Sequence, residues 1–288
     1  MTYEQLKQIQ QVQLTIMDEV HRVCVEHDLK YYMIGGTALG AIRHNGFIPW
    51  DPDIDIAMPR EDYEKFVTVY SKELKKGYSC HDYRTDRRHF SPHALVALDN
   101  SRIRFRNTGR SPFLTFGDYG IYVDILPLDR VPDDISLRKK HEKQLLSIKK
   151  WRNYKVCRTS ATNSWLMVEA KVLLSLLMPV SLYRLSKWQQ DIAQKYNALP
   201  VDDAKDICST LSHYKYEKLC MPASVWGSPT LYTFEDRKYY GQEQITKYLE
   251  MLFGDYMKLP SEEQRNANLQ NMIYAEWIGP SGDRVVLK

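Results

Sequence analysis

The chain of 288 residues lacks long apolar runs, paired cysteines and a strong charge of one sign, and each lack removes a class of protein. Its longest uncharged apolar stretch, "VLLSLLMPVSLY" at 172–183, has 12 residues and is interrupted by Pro179. A bilayer crossing takes ~20 apolar residues, so this stretch predicts core or a membrane-surface element, not a span. The five cysteines, Cys24, Cys80, Cys157, Cys208 and Cys220, are odd in number and form no CxxC pair. They predict reduced thiols in a cytoplasmic protein, not a disulfide framework or a zinc site. The opening "MTYEQLKQIQQVQL" is polar and reads as helix, unlike a signal peptide. Forty Lys and Arg against 36 Asp and Glu leave +4, a weak argument for any partner. Repeats, low-complexity tracts, the P-loop and the dinucleotide GxGxxG are all missing.

What is present is the pattern of an α+β fold. Apolar residues at helical spacing predict a helix over 3–27. "KYYMIGG" (30–36) reads as a strand ending at glycines, and "TALGAIRH" (37–44) as a short helix with Thr37 as N-cap. "DIDIAM" (53–58) alternates like a strand, and a helix is predicted over 59–74 behind Pro59. "HALVALDNSRIRFR" (93–106) suggests a hairpin turning at Asp99–Asn100, and "GIYVDILPL" (120–128) a strand stopping at Pro127, with Asp129 beyond it as a turn or cap residue. Two long helices are expected over 135–158 and 163–198. Short strands around "SPTLYTFED" follow, then a helix at 241–253 and a polar helix near 261–277. The expected division is a catalytic core over 1–132, a helical basic and apolar segment over 133–200, and an α/β region over 201–288 completing the same domain.

Two features carry chemistry. Gly35-Gly36 between a strand and a helix allows unusual backbone angles and close approach of a ligand, and the helix N-terminus beyond is a natural phosphate seat. A plain tight connection accounts for the same pattern. Next come Asp51, Asp53 and Asp55. On a strand, i and i+2 share a face with Cα atoms roughly 6.6–7 Å apart, so two carboxylates can converge on a divalent ion. Oxygen donors without nearby His or Cys suit Mg²⁺ or Mn²⁺. Asp51, ahead of Pro52, is a less certain member. Asp124, an acid inside an apolar strand, is the candidate for a third carboxylate. Trp50 reads as packing or as a wall beside the metals.

The string "GGTALGAIRHNGFIPWDPDIDIAM", with "VDILPLD" (123–129) and "FGDYMKLP" (253–260) after it in order, resembles the LicD family of phosphotransferases. That family includes bacterial phosphocholine transferases, is related to the fukutin proteins, and has the nucleotidyltransferase fold of the DNA polymerase β superfamily. The resemblance spans roughly 20–260. It implies a nucleotidyltransferase-like mixed sheet with flanking helices and a helical insertion. It implies a CDP-alcohol donor, with CDP-choline favoured, and a glycan or lipid-linked glycan acceptor such as a teichoic acid or lipopolysaccharide precursor. By position, Gly35, Gly36 and Thr37 form the donor phosphate loop with Arg43 neutralising charge. Asp53, Asp55 and Asp124 hold metal, Asp124 serving as ligand, base or both. His44 and Glu235 also fall within matching patterns and are further candidates. Pro52 stands where members often carry another Asp.

Three further patterns complete the reading. Arg102, Arg104 and Arg106 alternate along one strand face. Residues 138–158 hold nine Lys or Arg and one Glu just before the apolar run. That suits a peripheral protein on the anionic inner face of the cell membrane, or a solvated helix; no nucleic-acid motif accompanies it. Tyr31-Tyr32, Tyr119, Tyr122, Trp226 and Tyr239-Tyr240 could cage a quaternary ammonium or simply pack. The expected activity is metal-dependent transfer of a phospho-alcohol, phosphocholine favoured, with release of CMP. The alternatives are a nucleotidyltransferase releasing pyrophosphate and a non-catalytic nucleotide-binding or membrane-docking subunit.

Overall fold

The computed structural model describes residues 1–87, 89–105, 119–156, 165–212, 214–279 and 281–288. The fold is α+β. In chain order the first elements are α1 (Tyr3–Glu26), β1 (Tyr32–Met33), α2 (Gly35–His44), β2 (Asp55–Pro59) and α3 (Arg60–Thr68). Strands β3 (Tyr78–His81), β4 (Ala94–Leu98), β5 (Arg102–Phe105) and β6 (Tyr122–Val131) follow. Next are helices α4 (Ile135–Lys155), α5 (Trp165–Leu177) and α6 (Leu182–Ala193), then β7 (Asp206–Cys208), α7 (Tyr216–Leu219), β8 (Cys220–Pro222) and α8 (Ala223–Trp226). The chain closes with β9 (Thr230–Phe234), β10 (Arg237–Gly241), α9 (Ile245–Phe253), α10 (Glu262–Asn271), β11 (Met272–Ile278) and β12 (Arg284–Leu287).

The main sheet runs β1-β2-β6-β4-β3, with β7 and β8 added along the far end of β6. Only β2 and β6 are parallel, and their register sets Asp55 opposite Asp124. The core beneath is built from the apolar stripe of α1 (Leu6, Ile9, Met17, Val20) and from Ile54, Ile56, Val123 and Ile125.

Strand β6 does not stop at Pro127. Its partner on one edge changes from β4, opposite 122–125, to β7, opposite 129–131. The Asp124 N–H donates to the Ile54 carbonyl on the β2 side. By alternation the position of Pro127 that lacks an N–H faces the other edge, at the gap between β4 and β7, where no ladder bond is forfeited. Asp129 is therefore a strand residue and not a turn. It is fully buried and accepts Nε and Nη2 of the Arg60 guanidinium, at 2.7 and 2.6 Å, plus Asn197 at 2.7 Å.

The hairpin expected over 93–106 does not form. Asn100 takes the left-handed turn, but β4 is already flanked by β3 and β6, so β5 leaves to pair with β11. There Arg102 meets Glu276 at 3.6 Å and Arg104 lies 5.6 Å over the Tyr274 ring, while Arg106 lies outside the described residues. The second long helix breaks into α5 and α6 around Pro179, where the missing N–H and ring clash end a helix; Ser181 caps the restart. The polar helix ends at Asn271, because 272–278 is drawn into the β5-β11-β12 sheet. Cys24, Cys80, Cys208 and Cys220 are free thiols; Cys157 lies outside the described residues. Among the described residues no helix is long and apolar enough to cross a membrane.

Candidate functional site

The site forms where α2 begins and β2 and β6 run side by side. Gly35 has φ +55, which an L side chain rarely adopts, and this lets the chain pass from β1 straight into a helix. The helix starts at Gly35, two residues earlier than expected, with Ile34 at the N-cap and no capping side chain. Thr37 is not the cap. Its hydroxyl accepts the Asp55 N–H at 2.8 Å, tying the helix to the acid row. The Gly35 N–H is satisfied by the buried Tyr248 hydroxyl of α9 at 2.9 Å. Gly36 and Thr37 keep first-turn N–H groups that the helix ladder does not use.

The close approach at Gly36 is made by Asp51. A Cβ built there would lie 2.2 Å from Asp51 Oδ2, so any side chain at 36 displaces this carboxylate. Asp51 shares a side-chain hydrogen bond with Asp53, which lies in the extended lead-in rather than on β2 itself. Asp55 opens β2 and faces Asp124 across the ladder. The four aspartates form one electrostatic unit. Burial pushes the Asp51 carboxyl up to about 6, partly offset by the Asp53 hydrogen bond and the Arg43 charge. Asp53 is raised well above the ordinary range by burial and then by Asp51, Asp55 and Asp124. Asp55 is raised by burial and by Asp124 and Asp51. Carboxylates buried this close repel one another when ionised, a repulsion that a cation between them would relieve.

Among the described residues, no three His, Cys, Asp or Glu side chains stand arranged to hold a metal ion. Asp51 and Asp53 are turned toward each other, and Asp124 toward a histidine. The donor chemistry nevertheless fits a hard divalent cation: an all-carboxylate oxygen set in a site whose negative charge is otherwise only partly neutralised.

Several residues of the site were invisible in the sequence. His93, at the mouth of β4, bonds Asp124 Oδ1 through Nε2 at 2.8 Å, and its buried Nδ1 has no partner among the described residues. Gln10 and Gln13 sit on the buried face of α1. Gln10 donates to the Asp51 carbonyl at 2.9 Å, and Gln13 to the Pro52 carbonyl at 2.8 Å and the Tyr122 carbonyl at 3.3 Å. Two glutamines among the apolar positions of an amphipathic helix were the available signal. Tyr214 lies beside Gly35, and Asp55, Asp51 and Asp53 add to burial in pushing its phenol up.

The remaining candidates have structural partners. Arg43 donates to the Tyr256 carbonyl at 2.8 Å, which links the "FGDYMKLP" motif to the first, and its Nε donates to His44 Nε2 at 3.0 Å. Burial and the Arg43 charge lower the His44 pKa, consistent with a neutral ring that accepts. Trp50 is buried between His44, edge-on at 5.9 Å, and Arg265, 5.3 Å over its ring. Glu235 accepts the Phe47 N–H at 3.0 Å and so clasps the loop leading to the acids. Four of the tyrosines suggested for a cage have hydroxyl partners elsewhere. Tyr31 bonds His21, Tyr32 the Gly227 carbonyl, Tyr239 Asp18 and Tyr119 Asp86.

The family described as LicD/FKTN/FKRP, nucleotidyltransferase domain matches residues 28–133, the span from before β1 to the end of β6. The chain is 31% identical over 267 residues to the lipopolysaccharide cholinephosphotransferase LicD of Haemophilus influenzae, covering 90% of this chain and 94% of that protein. Shorter matches, each over 22% of this chain, are to uncharacterized proteins of Rickettsia typhi (36% identical over 63 residues) and Rickettsia prowazekii (43% over 64). The likeness to the Haemophilus protein runs through nearly all of both chains, beyond the acid-bearing sheet to the helices and the closing strands, so this chain belongs to the LicD family.

Proposed function

We propose that the protein transfers a phospho-alcohol, with phosphocholine favoured, from a CDP-linked donor to a sugar hydroxyl of a cell-surface glycan or lipid-linked glycan precursor. CMP is the leaving product, and the setting is the cytoplasmic face of the cell membrane. The observation that carries this reading is Asp53, crowded by Asp51, Asp55 and Asp124 beside the unused N–H groups of α2. The Haemophilus relative, a lipopolysaccharide cholinephosphotransferase, supports choline phosphate and a lipopolysaccharide acceptor.

Asp53, Asp55 and Asp124, with Asp51 beside them, would hold Mg²⁺ or Mn²⁺, which supplies neutralisation of the donor's diphosphate and of charge developing on the leaving group. The Gly36 and Thr37 N–H groups donate to donor phosphate oxygens at the positive end of α2. Arg43 adds positive charge on the Asp51 side. The acceptor oxygen attacks the phosphorus distal to cytidine. A P–O bond forms there as the bond to the bridging oxygen breaks, and CMP leaves with that oxygen and its electron pair. The acceptor proton passes to the Asp124 carboxylate. Tyr214 offers an aromatic surface beside the acids, suited to a quaternary ammonium group.

His93 is a positioning residue in this scheme: its bond at Oδ1 fixes the rotation of Asp124. His93→Ala is expected to lower Mn²⁺ affinity, followed by titration of the protein alone, by roughly 10–100-fold. His93→Gln, which keeps a donor, should recover part of the loss; unchanged affinity in both variants would dismiss the role.

The direct test is product identity with magnesium across CDP-choline, CDP-ribitol and CDP-glycerol in the presence of a glycan acceptor. CMP supports transfer, and the preferred donor names the alcohol. Pyrophosphate release from a nucleoside triphosphate instead would install the nucleotidyltransferase reading. Tight metal-dependent binding without turnover would mark a non-catalytic subunit.

A further inference from the structure

Over residues 172–177, helix α5 is folded inside out. Ser175 is its buried polar residue, 2% exposed, with its hydroxyl donating to the Lys155 carbonyl at 2.7 Å. Lys155 returns bonds to the Ser175 and Met178 carbonyls at 2.8 and 3.1 Å, fixing this face of α5 against the end of α4. The residues on either side point the other way: Leu173, Leu174, Leu176 and Leu177 are 58, 47, 64 and 71% exposed. A helix that buries serine and exposes four leucines has its apolar face reserved for something other than the core of this chain.

The neighbouring helices α4 and α6 expose apolar surface of their own. Trp151 of α4 and Trp188 of α6 are each about half exposed and line one groove of about 430 Å³ with Ile148 and Ile192 at its floor. The rim is basic. Lys139, Lys140, Lys143 and Lys150 are exposed on α4, and Arg184 and Lys187 on α6. The acids of these two helices are Glu142 and Asp191, and Asp191 is paired with Lys187.

We infer that the α4–α6 face docks on an anionic lipid surface, with the α5 leucines inserted among acyl chains. Trp151 and Trp188 sit at the headgroup level, and the lysines lie against lipid phosphates. Charge complementarity selects this occupant. A second copy would set two basic rims against each other, and a nucleic acid would leave the leucines in water. The inference deepens the proposed location of the enzyme but stands on α4–α6 alone, without any step of the transfer reaction.

The test is co-sedimentation of the full chain with vesicles of phosphatidylglycerol and phosphatidylethanolamine, or of phosphatidylcholine alone, without nucleotide donor. Binding is expected to the anionic vesicles and weaker by roughly tenfold or more for Leu176→Ser/Leu177→Ser. Lys139→Glu/Lys140→Glu/Lys143→Glu should lose binding and its salt sensitivity together. Both variants should keep the thermal midpoint of the parent and its CMP release with a soluble acceptor, which separates a failure here from a failure of the transfer reading. The inference is overturned if the parent chain ignores anionic vesicles, if either variant binds like the parent, or if sedimentation velocity shows a dimer that Leu176→Ser/Leu177→Ser disperses.

Discussion

Asp53→Asn is expected to lower kcat by on the order of 10²–10³-fold or more while making the metal-free chain more stable. The two effects have one cause. The Asp53 carboxyl is buried beside Asp51, Asp55 and Asp124, and each raises it. A carboxyl raised in the folded state holds a proton that the unfolded chain has released. Between the ordinary value of 3.8 and about 6 for Asp51, and from 3.8 up to their raised values for Asp53 and Asp55, the folded chain binds more protons. Stability contributed by these groups is therefore complete below the ordinary value and falls as pH rises through that window. Asn removes one charge from the cluster, so the thermal midpoint should rise most at pH 8 and little at pH 4. The scale is roughly 2–4 °C per kcal/mol for chains of 150–250 residues. Mg²⁺ should raise the parent's midpoint more at pH 8 than at pH 5, and this gain should shrink in the variant. Thermal unfolding at two pH values, with and without Mg²⁺, together with CMP release, checks both halves. A variant that stays fully active, or that is less stable than its parent at pH 8, contradicts the account.

Asp129→Ala is the second large effect and falls on stability. Asp129 and Asp124 lie in one motif, five residues apart on the same strand, yet they have opposite surroundings. Asp129 is fully buried and takes Nε and Nη2 of Arg60, whose Nη1 is held by Gln190 of α6 at 2.7 Å and by Glu64 at 3.2 Å. Removing the carboxylate leaves the buried Arg60 charge with only Glu64, at 3.2 Å on the exposed side, as an ionic partner, at a cost of up to about 3–5 kcal/mol. Chemical denaturation should show the midpoint falling accordingly. Asp124→Asn has a partly exposed side chain, 16% accessible, and a single histidine partner. It should leave the midpoint no lower than that of the parent and lose turnover. The reverse pattern would exchange the roles of the two acids.

Asp124 and Asp129 also show where reading the sequence reached its limit. Both are acids among apolar residues in "VDILPLD". Proline at 127 seemed to end the strand, which placed Asp129 in a turn. The strand continues because its edge partner changes from β4 to β7 at that point, and β7 comes from some eighty residues later in the chain. The same limit hid the pairing of β5 with β11 and the roles of Gln10, Gln13 and His93. His93 approaches Asp124 only because β4 lies beside β6, with Leu95 opposite Asp124. Nothing local to "SPHALVAL" signals that neighbour. Local signals were dependable where the physics is local, as in the stripe of α1, the start of α3 and the glycine that turns β1 into α2.

The sequence by itself determined the helices with strong apolar periodicity, the family motifs and the spacing of the acid row, because these follow from residue type and short-range geometry. The tertiary structure alone decided which carboxylates form one unit and which acid is a structural anchor. It also showed that α5 turns its leucines outward. Those facts depend on which distant segments share an edge or a burial boundary, and a partner far along the chain leaves no trace in the residues it will meet.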